Sequence, residues 1–331
     1  MERFTCSCGA PLSFESSHCA QCETDVGFNP EQLAIVSLDQ QSQWAYCDNH
    51  AFGVCNWLRP ITSPNTLCSG CQFNRVIPNL TLPQNLVRWG ALERAKKRLL
   101  YTLMCLDLPL HHGWQSSAQG LSFDFLDDER SQPEAYPGSF VTSGYANGVI
   151  TLNVLEADDV SRTAAQVELR ERYRTLLGHF RHESGHYFWS RLDKNSHVYG
   201  DFSRLFGDET MDYSEAMQVY YEQGPPADWR STFISAYASS HPLEDWAESW
   251  SHYLLIEDGL DTAFSQGLLD TNPKDWSTDK RLDVWTTISV GLNEMSKSLG
   301  QGDVYPFFIT PPVREKLVYV AAVIDYLKSA H

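Results

Sequence analysis

The sequence predicts an α+β protein in which a small Cys-rich module precedes a larger domain of few strands and many helices. Three observations carry this. Eight of the nine cysteines fall within the first 71 residues. Strand-like stretches gather between residues 121 and 155 around Asn147-Gly148, the strongest short hairpin signal. Beyond them helical periodicity dominates, and strands followed by helices is an α+β pattern. A chain of 331 residues suits one large domain or two unequal ones. The shift in composition places the boundary between a 1–83 module and an 84–331 domain.

The elements follow in order. Leu86, Val87, Leu92, Leu99, Leu100 and Leu103, interleaved with Arg88, Arg94, Lys96 and Arg98, predict a helix over 84–105. Strands are expected at 121–126, 139–145 and 149–155. Helices are expected at 162–191, 211–223, 242–256, 279–298 and 312–329. No apolar run approaches the roughly 18–20 residues that span a bilayer. The start, MERFTCSCGA, has no basic region leading into an apolar stretch. These features predict a cytoplasmic chain with no membrane partner.

In a reducing compartment, clustered cysteines point to metal and away from disulfides. Cys6, Cys8, Cys19 and Cys22 read C-x-C-x10-C-x2-C. Cys47, Cys55, Cys68 and Cys71 read C-x7-C-x12-C-x2-C. Zinc prefers four thiolates in a tetrahedron, and a C-x2-C turn supplies two from one knuckle. Two closed structural zinc sites are expected, taken in sequence order, with a cross-braced pairing as the alternative. His18, Asn49 and His50 lie close enough to replace a thiolate. So short a segment builds little core, and metal would supply much of its folding free energy.

Charge narrows the partners. The formal net charge is −17, from 25 basic and 42 acidic residues. Residues 1–85 hold three basic residues (Arg3, Arg59, Arg75) against seven acidic ones, and each four-thiolate zinc adds about −2. Such a surface repels phosphate backbones, so nucleic acid is not expected as a partner. A structural or protein-facing role suits the module better.

The chemistry lies further on. His182-Glu183-Ser184-Gly185-His186 matches H-E-x-x-H. On a helix, residues i and i+4 share a face, so both imidazoles can grip one metal. Glu183 sits where a carboxylate can act as general base. Tyr173, Leu176, Leu177, Phe180 and Tyr187 supply apolar surface to bury the helix. Zinc hydrolases need a third protein ligand, and Trp189 and Leu192 occupy the positions where a H-E-x-x-H-x-x-G-x-x-H continuation would put Gly and His. Downstream, Glu244 and Glu248 stand one turn apart on a helix that starts near His241-Pro242. One can ligate the metal while the other orients a ligand imidazole.

The H-E-x-x-H helix followed by a distal acidic helix resembles the gluzincin metallopeptidases, which include thermolysin-like enzymes and the catalytic domain of anthrax lethal factor. GHFRHESGHYFW and AYASSHPLEDWAESWSHYL, with the paired N-terminal ribbons, resemble more closely a bacterial family of zinc-binding metallopeptidases that carry an N-terminal zinc ribbon. That likeness covers essentially the whole chain. It implies a zincin-like fold, a small twisted sheet with helices, in which Val149–Leu155 is the edge strand that pairs with an extended peptide. It implies one catalytic zinc on His182, His186 and Glu244, with Glu248 behind the ligands and Glu183 as base. The lethal-factor-like pattern adds Tyr237, seven residues before Glu244, as a donor to the oxyanion or the leaving amine. The reaction implied is hydrolysis of a peptide, isopeptide or other amide bond in a peptide or protein.

Other readings compete. His179 and His252 suit core or supporting positions, Asp245 points about 100° away from Glu244, and Cys105 suits a small buried apolar site. A non-catalytic ribbon and zincin scaffold has no need of Glu183. A SprT-like DNA-associated protease has a histidine as third ligand and a basic surface, where this chain has Glu244 and a large negative charge.

Overall fold

The computed structural model describes residues 1–39, 43–115, 120–168 and 174–329. The chain divides into two compact units, Glu2–Ala165 and Gln166–His331, the second also taking in Met1. Among the described residues no helix is long and apolar enough to cross a membrane.

The Glu2–Ala165 unit begins with three antiparallel hairpins. β1 (Phe4–Thr5) pairs with β2 (Pro11–Leu12), β3 (Val26–Asn29) with β4 (Ala34–Ser37), and β5 (Trp44–Tyr46) with β6 (Leu58–Pro60). Strands this short are marginal alone. They lean on an aromatic cluster. Phe28 lies 4.8 Å from Trp57 and 4.9 Å from Phe14 between ring centroids, and Phe14 lies 5.2 Å from Tyr101. Tyr101 belongs to α1 (Asn85–Cys105), so the Cys-rich segment and the first long helix share a core.

β7 (Asn74–Val76), β8 (Ser122–Leu126), β9 (Gly144–Ala146) and β10 (Val149–Asn153) form one sheet in the order β7-β8-β10-β9. Asn147 and Gly148 make the expected turn between β9 and β10, with φ of 49° and 84°; a type I′ turn needs both positive. The strand expected over 139–145 shrinks to Gly144–Ala146. The expectation that Val149–Leu155 is a free edge is overturned. β10 pairs with β8 in parallel and with β9 antiparallel, which leaves β7 and β9 outermost. The cause is the apolar content of the two middle strands. Phe123, Phe125, Ile150 and Leu152 are all buried, and parallel pairing belongs in a sheet's interior.

The helix expected over 162–191 is two helices. α2 (Asp159–Glu168) ends before Thr175, which is extended, and α3 spans Leu176–Ser190. The Thr175 hydroxyl accepts from the Gly178 N–H at 2.9 Å, an N-cap that starts a new helix. Residues 169–173, including Tyr173, lie outside the described residues. α4 (His197–Phe206) was not expected; Val198, Phe202 and Phe206 form its buried stripe. α5 (Tyr213–Gln223), α6 (Pro242–Ser265), α7 (Thr278–Ser298) and α8 (Pro311–Ser329) follow, with α6 running past 256 to Ser265.

The contact that matters most in the Gln166–His331 unit is α3 against α6. Trp246 Nε1 donates to the Gly185 carbonyl at 2.8 Å, and Trp250 Nε1 donates to Ser184 Oγ at 3.0 Å. Gly185 makes the approach possible. A Cβ placed there would lie 3.0 Å from the Ala247 Cα and 3.2 Å from the Trp250 Cβ. On α8, Lys316 reaches α6 through a buried pair with Asp245 at 2.6 Å.

Gly185→Val should force α3 and α6 apart and cost about 1–3 kcal/mol through overpacking, seen as a lower melting temperature. Gly200→Ala is the control. Its Cβ meets nothing within 4 Å on α4, so helix propensity should leave stability unchanged or raise it by up to about 1 kcal/mol. Equal losses in both variants would refute the close-approach account.

Candidate metal centre

The eight N-terminal cysteines gather as two sets of four, in sequence order: Cys6, Cys8, Cys19 and Cys22, then Cys47, Cys55, Cys68 and Cys71. In the first set Cys6 Sγ lies 3.6 Å from Cys22 Sγ, and Cys8 Sγ lies 3.7 Å from Cys19 Sγ. In the second, Cys55 Sγ lies 3.7 Å from both Cys68 Sγ and Cys71 Sγ. These gaps are far too long for a disulfide bond of about 2.05 Å. A zinc tetrahedron with Zn–S bonds of about 2.3 Å has an edge of about 3.8 Å, so the spacing fits a shared ion.

The two sets differ in surroundings. Cys8 and Cys22 of the first are exposed, whereas all four of the second are buried. Against the second lies α1. Lys97 Nζ donates to the Val54 carbonyl at 2.9 Å and stands 3.3 Å from Glu93. Burial works against the Lys97 charge, but Cys55, Cys71 and Glu93 outweigh it and hold the ammonium well above its ordinary pKa. A dianionic four-thiolate zinc buried at this depth needs such a cation beside it.

The second kind of site lies within the Gln166–His331 unit. α3 puts His182 and His186 on one face, and α6 presents Glu244. Their donor atoms lie within 4.8 Å of one another. His182 Nε2 is 3.0 Å from Glu244 Oε2 and 3.3 Å from His186 Nε2, and His186 Nε2 is 3.4 Å from Glu244 Oε1. Glu248 accepts from His182 Nδ1 at 2.7 Å, leaving Nε2 to point at Glu244. His179 Nε2 sits 3.2 Å from Glu183 Oε1.

The electrostatics suit a cation. Burial lowers the His182 pKa, but hydrogen bonds that Glu244 and Glu248 accept overcome it and raise it well above the ordinary value. Burial raises Glu244, but the His186 charge and the bond to His182 hold it well below the usual carboxylate range. Burial likewise raises Glu183, and the His179 hydrogen bond with the nearby imidazoles outweighs it, so Glu183 is held low. Two imidazole nitrogens and a carboxylate that is held ionised are a donor set suited to zinc.

A family profile described as "Putative zinc-binding metallo-peptidase" matches residues 85–323, and a zinc-ribbon domain profile matches residues 3–82. The chain belongs to this metallopeptidase family. It is similar to an uncharacterized protein of Mycobacterium bovis and to uncharacterized proteins of two Mycobacterium tuberculosis strains. Each is 39% identical over 336 residues, covering 98% of this chain and 96% of the relative. No solved structure matches the chain.

The remaining sequence candidates of this family member are placed as follows. The Tyr237 ring lies 5.9 Å from the His182 ring. Asp245 turns to Lys316, away from the cluster. His252 is buried with Nδ1 3.2 Å from the Tyr305 hydroxyl, and burial pushes its pKa down to about 4, which makes it a neutral core histidine. His50 Nδ1 bonds the Cys55 carbonyl at 2.9 Å and supports the second sulfur set without joining it. Cys105 is half-buried beside Tyr101. Sequence reasoning missed Tyr213, whose hydroxyl donates to Glu244 Oε1 at 2.9 Å. The only available signal was Asp212-x-x-Glu215, a capping pattern that puts Tyr213 at the first helical position.

Lys97→Met keeps the bulk and removes the charge beside the second sulfur set. It should make one zinc per chain extractable at lower chelator concentration, while the ion on Cys6, Cys8, Cys19 and Cys22 stays as in the parent. Chelator titration with elemental analysis reads this. Unchanged extraction of both ions would refute the role given to Lys97.

Proposed function

We propose that this family member is a zinc-dependent peptidase of gluzincin type, with His182, His186 and Glu244 as metal ligands and Glu183 as general base. One observation carries the reading. Donor atoms of two histidines a helical turn apart and of a glutamate on a second helix converge within 4.8 Å, and a low-pKa carboxylate, Glu183, is next to the first ligand in the chain. Zinc held there supplies a Lewis acid that acidifies water and polarises the scissile carbonyl.

The chain's own groups do the rest. Glu183 takes a proton from the attacking water and delivers it to the leaving amine, steadied by His179. Glu248 holds the His182 ring through Nδ1 and keeps Nε2 in its ligating role. Burial and the nearby Glu244 charge raise the Tyr237 hydroxyl far above the phenol range. It therefore keeps its proton and serves as a donor to the oxyanion or the leaving amine. The two four-thiolate sites are closed and structural. The substrate we assign is a peptide or protein, cleaved at a peptide, isopeptide or other amide bond. A cytoplasmic setting keeps the eight thiols available for zinc, the net charge of −17 disfavours nucleic acid, and the ribbon module is free to meet a protein partner.

Three zinc ions per chain should be found in protein purified without chelator, and two in His186→Ala. Glu183→Gln should keep all three and the parent melting temperature. Its hydrolysis of a peptide library, read by mass spectrometry, should fall by about 10²–10⁴-fold. Undiminished cleavage by Glu183→Gln would sink the peptidase mechanism. Three ions in His186→Ala would sink the ligand set.

A further inference from the structure

Tyr213 has no part in the reading above, yet it touches the centre of the site. It opens α5, whose first turn is capped by Asp212 accepting from the Glu215 N–H at 2.9 Å. Its hydroxyl donates to Glu244 Oε1 at 2.9 Å, while the other carboxylate oxygen, Oε2, faces His182 Nε2 at 3.0 Å. The Tyr237 ring lies 5.9 Å from the His182 ring in the same site. The chain of contacts therefore runs from Tyr213 through Glu244 to His182.

The segment is anchored for this purpose. His241, which caps α6 by accepting from the Leu243 N–H at 3.1 Å, places its other ring nitrogen 3.2 Å from the Met211 carbonyl. Its ring packs edge-on at 5.1 Å from that of Tyr213. The start of α5 and the start of α6, two residues before Glu244, are thus clamped by one histidine. Otherwise α5 is held loosely, with Met217 its buried residue. Tyr213 is 44% exposed and Glu244 1%, so Tyr213 is where solvent comes nearest the buried carboxylate through a hydrogen-bonded side chain.

We propose that Tyr213 is a positioning residue. By donating to Oε1 it orients Glu244 so that Oε2 serves the metal. The proposal rests on the zinc site assigned above. Loss of such a supporting hydrogen bond typically lowers metal affinity about 10–100-fold.

The full-length chain is loaded with zinc and equilibrated against graded dipicolinate, and the retained zinc is counted. His182→Ala defines the background left by the four-thiolate sites. Tyr213→Phe should release the additional ion at about 10–100-fold lower chelator activity. Tyr237→Phe should stay within about threefold of the parent, because its hydroxyl is not the group that donates to Glu244 Oε1. The zinc-free melting temperature of Tyr213→Phe should match the parent, which separates positioning from a general structural loss. Parent-like retention in Tyr213→Phe, with the ion absent from His182→Ala, would overturn the role of Tyr213 alone. Parent-like zinc in His182→Ala would overturn the metal site, and the proposal with it.

Discussion

Buried His182 stands between two carboxylates, 3.0 Å from buried Glu244 and 2.7 Å from half-buried Glu248. Removing three such groups from water is costly unless each has a partner of opposite charge. Much of the Gln166–His331 unit serves this demand. Gly185 lets α3 approach α6 closely, and the Trp246 and Trp250 indoles lock the distance by bonding the Gly185 carbonyl and the Ser184 hydroxyl. The remaining α6 acid on this turn, Asp245, is compensated separately by Lys316. The result is a cluster in which two imidazoles and a carboxylate bring their donor atoms within 4.8 Å of one another.

The Glu2–Ala165 unit meets a similar demand with sulfur. Its short hairpins cannot hold themselves, so aromatic packing on Tyr101 of α1 and the two sets of four thiols share the task. The set that is fully buried has Lys97 and the Glu93–Lys96 pair close by. The set that is half open has water to solvate its charge. Burial and compensation rise together, as Coulomb energies in a poorly solvating interior require.

Some of the site was legible because it is local. The i, i+4 spacing of His182 and His186 gives one face on any helix, whatever packs against it, and Cys68-x2-Cys71 makes the same knuckle in any fold. The Asn147-Gly148 turn is equally local, since few other residues adopt positive φ at both positions. Glu244 and Glu248 share a face for the same reason, so the sequence offered both. Which of them meets the imidazole Nε2 atoms depends on the height at which α6 crosses α3.

By itself the sequence determined the local chemistry: which residues can share a helical face and which thiols can form a knuckle. Tertiary structure decided what those faces meet. It put β10 inside the sheet, since a strand between two others takes a neighbour, β8, from a segment distant in sequence that no local pattern names. It broke the 162–191 stretch at Thr175, where the cap hydrogen bond to Gly178 competes with continued helix. It brought Tyr213 from 31 residues away to the Glu244 carboxylate. Periodicity is a property of neighbours along the chain, whereas a hydrogen bond between α5 and α6 exists only once both helices are packed.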